Sequence, residues 1–334
     1  MRNILITGGA GFVGFHLARH LLVHTQDTVV ITDNLQRGRM DEDLKNLLAT
    51  YATRLTFIQA DLTDQAAFEM LGGPFEHIYH LAAVNGTKHF YRMPSEVLRI
   101  NTLSLAFLLE WVAKMEQKPK VCFTSSNEAY AGALEAFGVL PLPTPEAVPL
   151  VISDPYNARW TYAGTKLIGE LFMIHYASTF NIPGVIVRPH NFYGPRAGYD
   201  HVIPELCERI RLKVDPFPLM SPEETRSFCY IEDAVEAMRM LMESAATDKQ
   251  PIETVHIGSH DETTIQGLAD HCFDIAGWRP TALDIKPSPA GSVKRRLGDI
   301  SKINALVGWA PKTSLKDGLK QTIAWYDAHP KPTA

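Results

Sequence analysis

The sequence predicts an α/β protein built on a parallel sheet, with a smaller lobe in its C-terminal half. Two observations lead to this prediction. Short apolar runs alternate with longer segments whose apolar residues recur at helical spacing, the pattern of successive βαβ units. A glycine-rich segment, residues 7–14, lies between the first apolar run and the first helical pattern. Such a turn is typical of the doubly wound Rossmann sheet.

The individual elements follow from the period of the apolar residues. Strands are predicted at 4–7, 28–32, 55–59, 77–81, 121–124 and 184–188, with a later strand near 254–257. Helices are predicted at 12–23, 41–50, 64–71, 94–118 and 161–180, and near 202–212, 232–245, 264–276 and 315–327. Residues 131–160 contain five prolines and predict an irregular loop, which in a compact domain is usually functional.

The composition excludes several classes of partner. The 334 residues are 46% hydrophobic and carry a net charge of −5, which gives no electrostatic reason to bind nucleic acid or an anionic membrane. The four cysteines are widely spaced and form no CxxC pair, which predicts reduced thiols and no metal site. No stretch approaches the roughly 18 apolar residues of a membrane span. We therefore expect a soluble, cytoplasmic protein.

The glycine turn predicts a dinucleotide site. Gly8, Gly11 and Gly14 allow a tight turn, close approach of the backbone to a pyrophosphate, and packing of helix on strand. The N-terminus of the following helix supplies amide donors and a positive dipole for the anion. Asp33 ends the second strand, 19 residues after Gly14. A carboxylate there accepts from the ribose hydroxyls and repels a 2′-phosphate, which favours NAD over NADP, although the nearby Arg37 could attract a phosphate.

Further cofactor contacts are predicted at the ends of the third and fourth strands. Asp61 can hold the adenine amino group, or it can simply cap the helix that follows. The small residues of the segment His80-Leu81-Ala82-Ala83 let a cofactor lie against the backbone. The predicted cofactor-binding residues are Gly8, Gly11, Phe12, Val13, Gly14, Asp33, Asn34, Arg37, Asp61, Leu62, Leu81, Ala82, Ala83 and Asn101, together with Tyr162 and Lys166.

Tyr162 and Lys166 form a YxxxK pair on a predicted helix and share one of its faces. An ammonium beside a phenol stabilises the phenolate, so we expect Lys166 to lower the pKa of Tyr162 toward neutrality. A phenolate is a competent base for a sugar hydroxyl. The segment 124–130, TSSNEAY, ends the fifth strand at the sheet edge where α/β proteins bind ligands. Alone, a YxxxK pair is equally compatible with a helix surface.

With these motifs, the chain resembles the extended short-chain dehydrogenases/reductases of the nucleotide-sugar epimerase/dehydratase family. The matching motifs run almost from end to end: TGGAGFVG at 7–14, HLAA at 80–83, TSSNEAY at 124–130, YAGTK at 162–166, RPHNFYGPR at 188–196, RSFCYIEDA at 226–234, and RRLGDISK with GWAPKTSLKDGL within 295–319. The resemblance implies an NAD-binding Rossmann domain over 1–188, with returning elements near 232–257, and a nucleotide-sugar-binding lobe over most of 189–334.

Site residues follow from the same resemblance. It implies Ser126 as the catalytic hydroxyl, Tyr162 as the base and Lys166 as its partner. Thr87 is expected over the nicotinamide and sugar. Asn191, Arg196, Arg226, Arg295 and Arg296 are the remaining expected substrate contacts. Arg forks suit phosphate geometry, although arginines at such positions can also form surface ion pairs.

The resemblance also implies a shared first step, in which Tyr162 deprotonates the C4 hydroxyl of a UDP-, GDP- or dTDP-linked sugar and NAD takes the C4 hydride. Glu128 could act on protons at C5 of the 4-keto sugar, as in dehydratases and decarboxylases, or could pair with an arginine. In dehydratases the resemblance implies Asp or Ser before this Glu, whereas the present chain has Asn127, which cannot act as a general acid. Epimerisation is therefore the leading hypothesis. Dehydration, decarboxylation and net C4 oxidation are alternatives, and a non-catalytic dinucleotide-binding protein is the alternative from another class.

The family resemblance further implies a homodimer formed by the helix at 94–118 and the helix that carries Tyr162. The first of these helices has apolar residues suited to an interface, namely Leu103, Phe107, Leu108, Trp111 and Met115. The same residues suit packing on the sheet, so the sequence leaves both possibilities open.

Overall fold

The structure is a computed structural model and describes residues 1–287 and 294–331. In this part of the chain, seven parallel strands form the main sheet in the order β11-β6-β5-β4-β1-β2-β3. The order changes direction beside β1, as in doubly wound sheets. The predicted α/β Rossmann fold is confirmed.

The strands are β1 (Asn3–Thr7), β2 (Thr28–Asp33), β3 (Leu55–Gln59), β4 (His77–His80), β5 (Lys120–Thr124), β6 (Gly184–Pro189), β7 (Phe192–Tyr193), β8 (Phe217–Met220), β9 (Thr225–Ser227), β10 (Cys229–Tyr230), β11 (Ile252–Ile257), β12 (Glu262–Thr264), β13 (Leu283–Lys286) and β14 (Arg295–Arg296). The α-helices are α1 (Phe12–His24), α2 (Glu42–Thr50), α3 (Thr87–Arg92), α4 (Pro94–Lys114), α5 (Gly132–Phe137), α6 (Trp160–Phe180), α7 (Val202–Arg211), α8 (Ile231–Glu243), α9 (Ile265–Ala276), α10 (Ser301–Val307) and α11 (Leu315–Ala328).

The sheet is covered on both faces, which explains why its strands are apolar throughout. On one face, Leu105, Leu108 and Val112 of α4 and Met173 of α6 pack against strand residues such as Ile186. On the other face, α1 and α8 belong to a core that continues into the C-terminal lobe. The sheet is therefore the fixed frame to which both the cofactor turn and the second lobe are attached.

Several elements differ from the sequence prediction. The helix predicted to reach Lys118 ends at Lys114. Lys118 lies beyond this end, and its ammonium donates back to the carbonyl oxygen of Ala113 in the last turn (2.6 Å). The predicted helix at 64–71 is a 3-10 helix, Gln65–Leu71, capped by Asp64. Helices α3, α5 and α10 were not predicted, and α5 lies within the segment expected to be an irregular loop.

The chain returns from the second lobe to the main sheet before the second lobe is complete. After β6, the chain enters this lobe through β7 and α7, then comes back through α8, which covers the sheet, and β11, which pairs in parallel with β6 along Ile252–Ile257. Smaller sheets, in which β9 pairs with β12 and β14 and β8 pairs with β13, support the lobe. In the described residues, no helix is both long and apolar enough to cross a membrane.

A buried ion pair joins α6 to the sheet. Glu170 accepts from Nε (2.8 Å) and Nη2 (2.7 Å) of Arg188 on β6, and Ser125 donates to the same carboxylate at 2.5 Å. All of these side chains are almost fully buried. Two strand ends and one helix are therefore fixed relative to one another by one carboxylate.

We expect Glu170→Gln to lower the free energy of unfolding by about 3–5 kcal/mol, because it leaves the Arg188 guanidinium buried without a counter-charge. Glu205→Gln is the matched control, since Glu205 pairs with Arg209 at the surface of α7 (2.8 Å), and it should cost less than about 1 kcal/mol. Urea unfolding of both variants measures the difference. Equal losses would contradict the role given to the buried pair.

Candidate active site

A cleft of about 730 Å³ opens at the carboxyl ends of the central strands. Thr7 of β1 lies opposite Thr32 of β2 and His80 of β4, so the segments that follow these strands meet at one edge. The cleft is lined by most of the predicted residues: Gly8, Gly11, Phe12, Val13, Gly14, Asp33, Asn34, Arg37, Asp61, Leu62, Leu81, Ala82, Ala83, Thr87, Ser126, Asn127, Glu128, Tyr162, Lys166, Asn191, Arg196 and Arg296.

The glycine turn leaves no room for side chains. A Cβ on Gly14 would lie 2.3 Å from the carbonyl oxygen of Gly8, and one on Gly8, whose φ is +69°, would lie 2.8 Å from the amide nitrogen of Ala82. The Thr7 hydroxyl accepts from the amides of Leu81 and Ala82, both at 3.2 Å, and so holds the fourth strand's end against the turn. This bare backbone in front of α1 fits a pyrophosphate.

Asp33 and Arg37 decide which dinucleotide fits. The Asp33 carboxylate accepts from the amides of Ala10 (3.2 Å) and Leu35 (2.8 Å), and burial raises its pKa. Arg37 does not turn toward this carboxylate, because its guanidinium donates across the cleft to the carbonyl oxygen of Asn85. The ribose end is therefore lined by a carboxylate toward which Arg37 does not point, which favours NAD.

Two other predicted cofactor contacts have different surroundings. Asp61 accepts from the amide (2.9 Å) and hydroxyl (2.8 Å) of Thr63. Burial alone would raise the pKa of Asp61, but these hydrogen bonds outweigh burial, so the pKa is lowered. Asn101 lies behind the cleft wall, where it accepts from the amide of Val84 (2.7 Å) and donates to the hydroxyl of Thr165 (3.2 Å). Asn101 thus supports the wall from behind.

Tyr162 and Ser126 lie together at the deep end of the cleft. The Tyr162 ring is buried and stacks on Phe90, with centroids 5.1 Å apart and an interplanar angle of 12°. Burial raises the pKa of Tyr162, and a hydrogen bond with Ser126 and the charge of Arg37 oppose this rise only in part. The expectation that the pKa of Tyr162 falls toward neutrality is therefore wrong for the protein alone, because burial has the larger effect.

Lys166 is the more strongly tuned member of the pair. Its ammonium donates to the carbonyl oxygen of Thr124 (2.7 Å) and lies 5.4 Å from the centroid of the Tyr162 ring. Burial lowers the pKa of Lys166 to about 7, and Glu170 one turn later opposes the change. A proton can therefore leave or join Lys166 near neutral pH, beside the phenol that needs one moved.

Glu128 is held as a carboxylate. It accepts from Arg296, and Nη2 of Arg159 lies 3.9 Å from its second oxygen. Burial alone would raise its pKa, but Arg296 and Arg159 outweigh burial and lower it. Beside it, the Asn127 side chain is buried, and its Nδ2 has no hydrogen-bond partner among the residues that the structure describes. Neither side chain is set up to donate a proton.

The predicted substrate arginines do not converge. Arg226 pairs with Glu224 (2.7 Å), and Arg295 pairs at the surface with Glu262 (2.7 Å), so neither lines the cleft. Arg196 lines the dinucleotide side of the cleft and pairs with Asp41 (2.8 Å). Asn191 and Arg296 are the remaining predicted substrate residues that reach the cleft beside the lobe.

Two residues near the reacting groups were not among the predicted site residues. Phe90 lies in a segment to which no role could be assigned. It belongs to a short helix, and a helix of this length has no periodic pattern that could have indicated it. Arg159 precedes Tyr162 by three residues and so shares its side of α6, which is the feature that could have indicated it. No group of three or more His, Cys, Asp or Glu side chains within 1–287 and 294–331 is arranged to hold a metal ion.

Comparison with known proteins gives a consistent result. Residues 4–258 match the NAD dependent epimerase/dehydratase family. The chain is 30% identical to a UDP-N-acetyl-alpha-D-glucosaminuronate decarboxylase of Bacillus cytotoxicus, over 97% of this chain and 98% of the relative. It is also 30% identical to a putative UDP-glucose 4-epimerase of Methanocaldococcus jannaschii, over 96% of this chain and 97% of the relative.

A solved structure agrees with these matches. UDP-glucuronic acid 4-epimerase from Bacillus cereus, in complex with UDP-glucuronic acid and NAD, superposes with a TM-score of 0.82 at 26% identity, covering 98% of this chain and 99% of that one. The cofactor of the present protein is NAD, which the bare glycine turn and the Asp33 carboxylate fit. The relatives carry out different reactions on nucleotide sugars.

The buried ammonium of Lys166 makes stability depend on pH. Below pH 7 both folded and unfolded chains hold this proton, and the folded state carries the full cost of burying the charge. Between pH 7 and about 10.4 the folded state has lost the proton while the unfolded state keeps it, so stability rises with pH. We expect wild type to gain up to about 1.4 kcal/mol per pH unit over Lys166→Met in this window.

Urea unfolding at a series of pH values from 7 to 10 measures this gain. Lys45→Met is the control, because Lys45 is an exposed lysine of α2. Its stability should follow that of wild type at every pH. Parallel curves for wild type and Lys166→Met would show that Lys166 titrates normally.

Proposed function

Because the chain belongs to the NAD-dependent epimerase/dehydratase family, we propose that it is a nucleotide-sugar epimerase that acts through oxidation at C4 of the sugar. The observation that carries the proposal is the pairing of a complete Ser126–Tyr162–Lys166 set with Asn127 and an ion-paired Glu128. The first set is suited to removing hydrogen from an alcohol. The second pair is not suited to expelling water.

The roles of the chain's own residues follow from their positions. Tyr162 takes the proton of the C4 hydroxyl, and Ser126, which shares a hydrogen bond with the phenol, orients the reacting oxygen. Lys166 stabilises the phenolate when protonated and can exchange its proton near pH 7. NAD, when bound, would supply an acceptor for the C4 hydride and its donor afterwards. Inversion at C4 requires the 4-keto sugar to present its opposite face for that return.

Elimination of water requires an acid at the leaving oxygen. Asn127 has no acidic proton, and Glu128 is kept charged by Arg296 and Arg159. A carboxylate with a lowered pKa is also a weak base for the C5 proton. These properties favour epimerisation over 4,6-dehydration.

Decarboxylation of a nucleotide-linked uronic acid is the second candidate. A 4-keto uronic acid loses carbon dioxide without an acid at C6, so Asn127 is no obstacle to it. Arg296 reaches the cleft beside Glu128 and could pair with a sugar carboxylate in its place. The likeness to a UDP-N-acetyl-alpha-D-glucosaminuronate decarboxylase supports the same candidate.

The nucleotide part of the substrate belongs beside the second lobe, where we place Asn191 and Arg296 as contacts. UDP-linked sugars are the first to test, since the relatives named above act on or bind them. Arg226 contributes if it leaves Glu224, to which it is bound at 2.7 Å. GDP- and dTDP-linked sugars are the other classes to be compared.

We also propose that two copies pair through α6. Its outer face exposes Ile168, Leu171, Ile174 and Phe180, which we call the α6 apolar face. Spacings of three residues place the first three on one side of the helix. Leu108 of the neighbouring α4 lies in the core, whereas Phe107 and Trp111 are half-buried at the edge of the same surface.

Tyr162→Phe should lower turnover by about 10²–10⁴-fold, because the base is lost while the ring and its stacking remain. Tyr156→Phe is the matched control, since Tyr156 is almost fully exposed, and it should retain wild-type turnover. Turnover is followed by mass spectrometry and NMR after incubation with UDP-, GDP- and dTDP-sugars. An unchanged mass with a new sugar configuration supports epimerisation. Loss of carbon dioxide or of water assigns the other reactions, and an unimpaired Tyr162→Phe variant contradicts the catalytic role.

Leu171→Glu combined with Ile174→Glu should convert the dimer into a monomer, because two charges would have to be buried at the interface. Analytical ultracentrifugation gives the mass in solution. Ile285→Glu, an exposed apolar residue of β13 outside the α6 apolar face, is the control and should leave the mass unchanged. A monomeric wild type would end the proposal.

A further inference from the structure

A short segment crosses the cleft above the predicted dinucleotide path. It comprises residues 84–93, includes α3, and is called the strap here. Its beginning is fixed from behind, because Asn101 accepts from the amide of Val84 (2.7 Å) and donates to its carbonyl oxygen (3.1 Å). Its end runs directly into α4 through Pro94. The strap is therefore anchored at both ends on the nicotinamide side of the sheet.

Beyond these anchors, the strap is tied to the opposite side of the cleft by Arg37. This residue belongs to the loop after β2, next to Asp33, and its guanidinium donates to the carbonyl oxygen of Asn85. The following residue, Gly86, has a φ of +110°, and a Cβ on it would lie 3.8 Å from Nη2 of Arg37. The turn thus presents its carbonyl and a bare backbone to the guanidinium.

A second tie joins the strap to the C-terminal lobe. Lys88 pairs with Asp200 at 2.6 Å, and both side chains are about half exposed. Between the two ties, Phe90 points down onto the ring of Tyr162. The charge of Arg37 also acts on Tyr162 and Asp200, so the two ties face the same mouth of the cleft.

We propose that Arg37 is a positioning residue that acts through the Asn85–Gly86 turn, holding the strap closed over NAD and limiting the rate at which the cofactor exchanges. Lys88 and Asp200 tie the middle of the strap to the C-terminal lobe. Arg37 therefore has a role different from recognition of the ribose. The inference goes beyond the proposed reaction, since it concerns binding of NAD and not the fate of the sugar.

The ties are made between groups of the chain itself and need no atom of the cofactor. A strap of this kind obstructs entry and departure alike, and loosening it raises the association and dissociation rate constants together. The dissociation constant then changes little. A residue that simply contacts the cofactor behaves differently, because its loss raises the dissociation rate constant and the dissociation constant together.

Stopped-flow fluorescence of NADH tests this difference on the full-length protein without any sugar. Association is followed on mixing with NADH, and dissociation on displacement by excess NAD. Arg37→Met should raise both rate constants by about tenfold, the effect of losing a charge-assisted hydrogen bond, with the dissociation constant changed by less than about threefold. Lys88→Met should raise both by a smaller factor, because exposed ion pairs are weak.

Arg92→Met is the matched control, because it removes an exposed arginine from α3, the helix that carries Lys88. The rate constants of this variant should equal those of wild type. Two results would overturn the proposal. A higher dissociation rate constant with unchanged association would make Arg37 an ordinary cofactor contact. Unchanged rate constants in both Arg37→Met and Lys88→Met would show that the strap does not control exchange. Neither result depends on which sugar reaction the protein catalyses.

Discussion

The arrangement of the active site depends on one buried carboxylate. Glu170 binds Arg188 of β6 and Ser125 at the end of β5, and it lies one helical turn after Lys166. Ser125 precedes Ser126, the proposed catalytic hydroxyl, and Lys166 donates to the carbonyl oxygen of Thr124. The hydroxyl and the base are thus carried by different elements, and this interaction fixes the distance between them. Removing one partner of a buried pair is costly, because the other charge stays buried, so the pair resists separation of the elements that it joins.

Burial, more than the proximity of charges, sets the protonation of the reacting groups. It raises the pKa of Tyr162 and lowers that of Lys166, whereas Glu128 remains charged because two arginines outweigh the effect of burial. At neutral pH, Tyr162 stays a neutral phenol and Glu128 a carboxylate, as each would in water, whereas the pKa of Lys166, about 7, brings its titration into the neutral range. Such tuning is common where a proton must move during a reaction. Beside them, Asn127 has no acidic proton, and its Nδ2 has no hydrogen-bond partner among the residues that the structure describes.

The strands of the main sheet, the long helices and the glycine turn could be predicted from the sequence, because each repeats a local pattern or needs a residue of one type. Helices α3, α5 and α10 and the short strands of the smaller sheets could not, since such short elements have no period to detect. Asp33, Tyr162 and Lys166 were found because they have fixed spacings from such patterns. The direction of the Arg37 side chain could not be predicted from the sequence, because its partner Asn85 lies 48 residues away along the chain. The pKa of Tyr162 was mispredicted because burial is a property of the folded chain.

The order in which the chain builds its sheet has a consequence for how such proteins can diversify. Strand β11 completes the sheet beside β6 only after the chain has entered the second lobe, and α8 covers the sheet on the same return. A cut after residue 188 would leave the edge of β6 open and would remove the cover that α8 gives to one face of the sheet. The lobe therefore cannot be exchanged as a module. New substrate preferences must arise within the loops of an intact chain, while the hydride-transfer machinery is carried along unchanged.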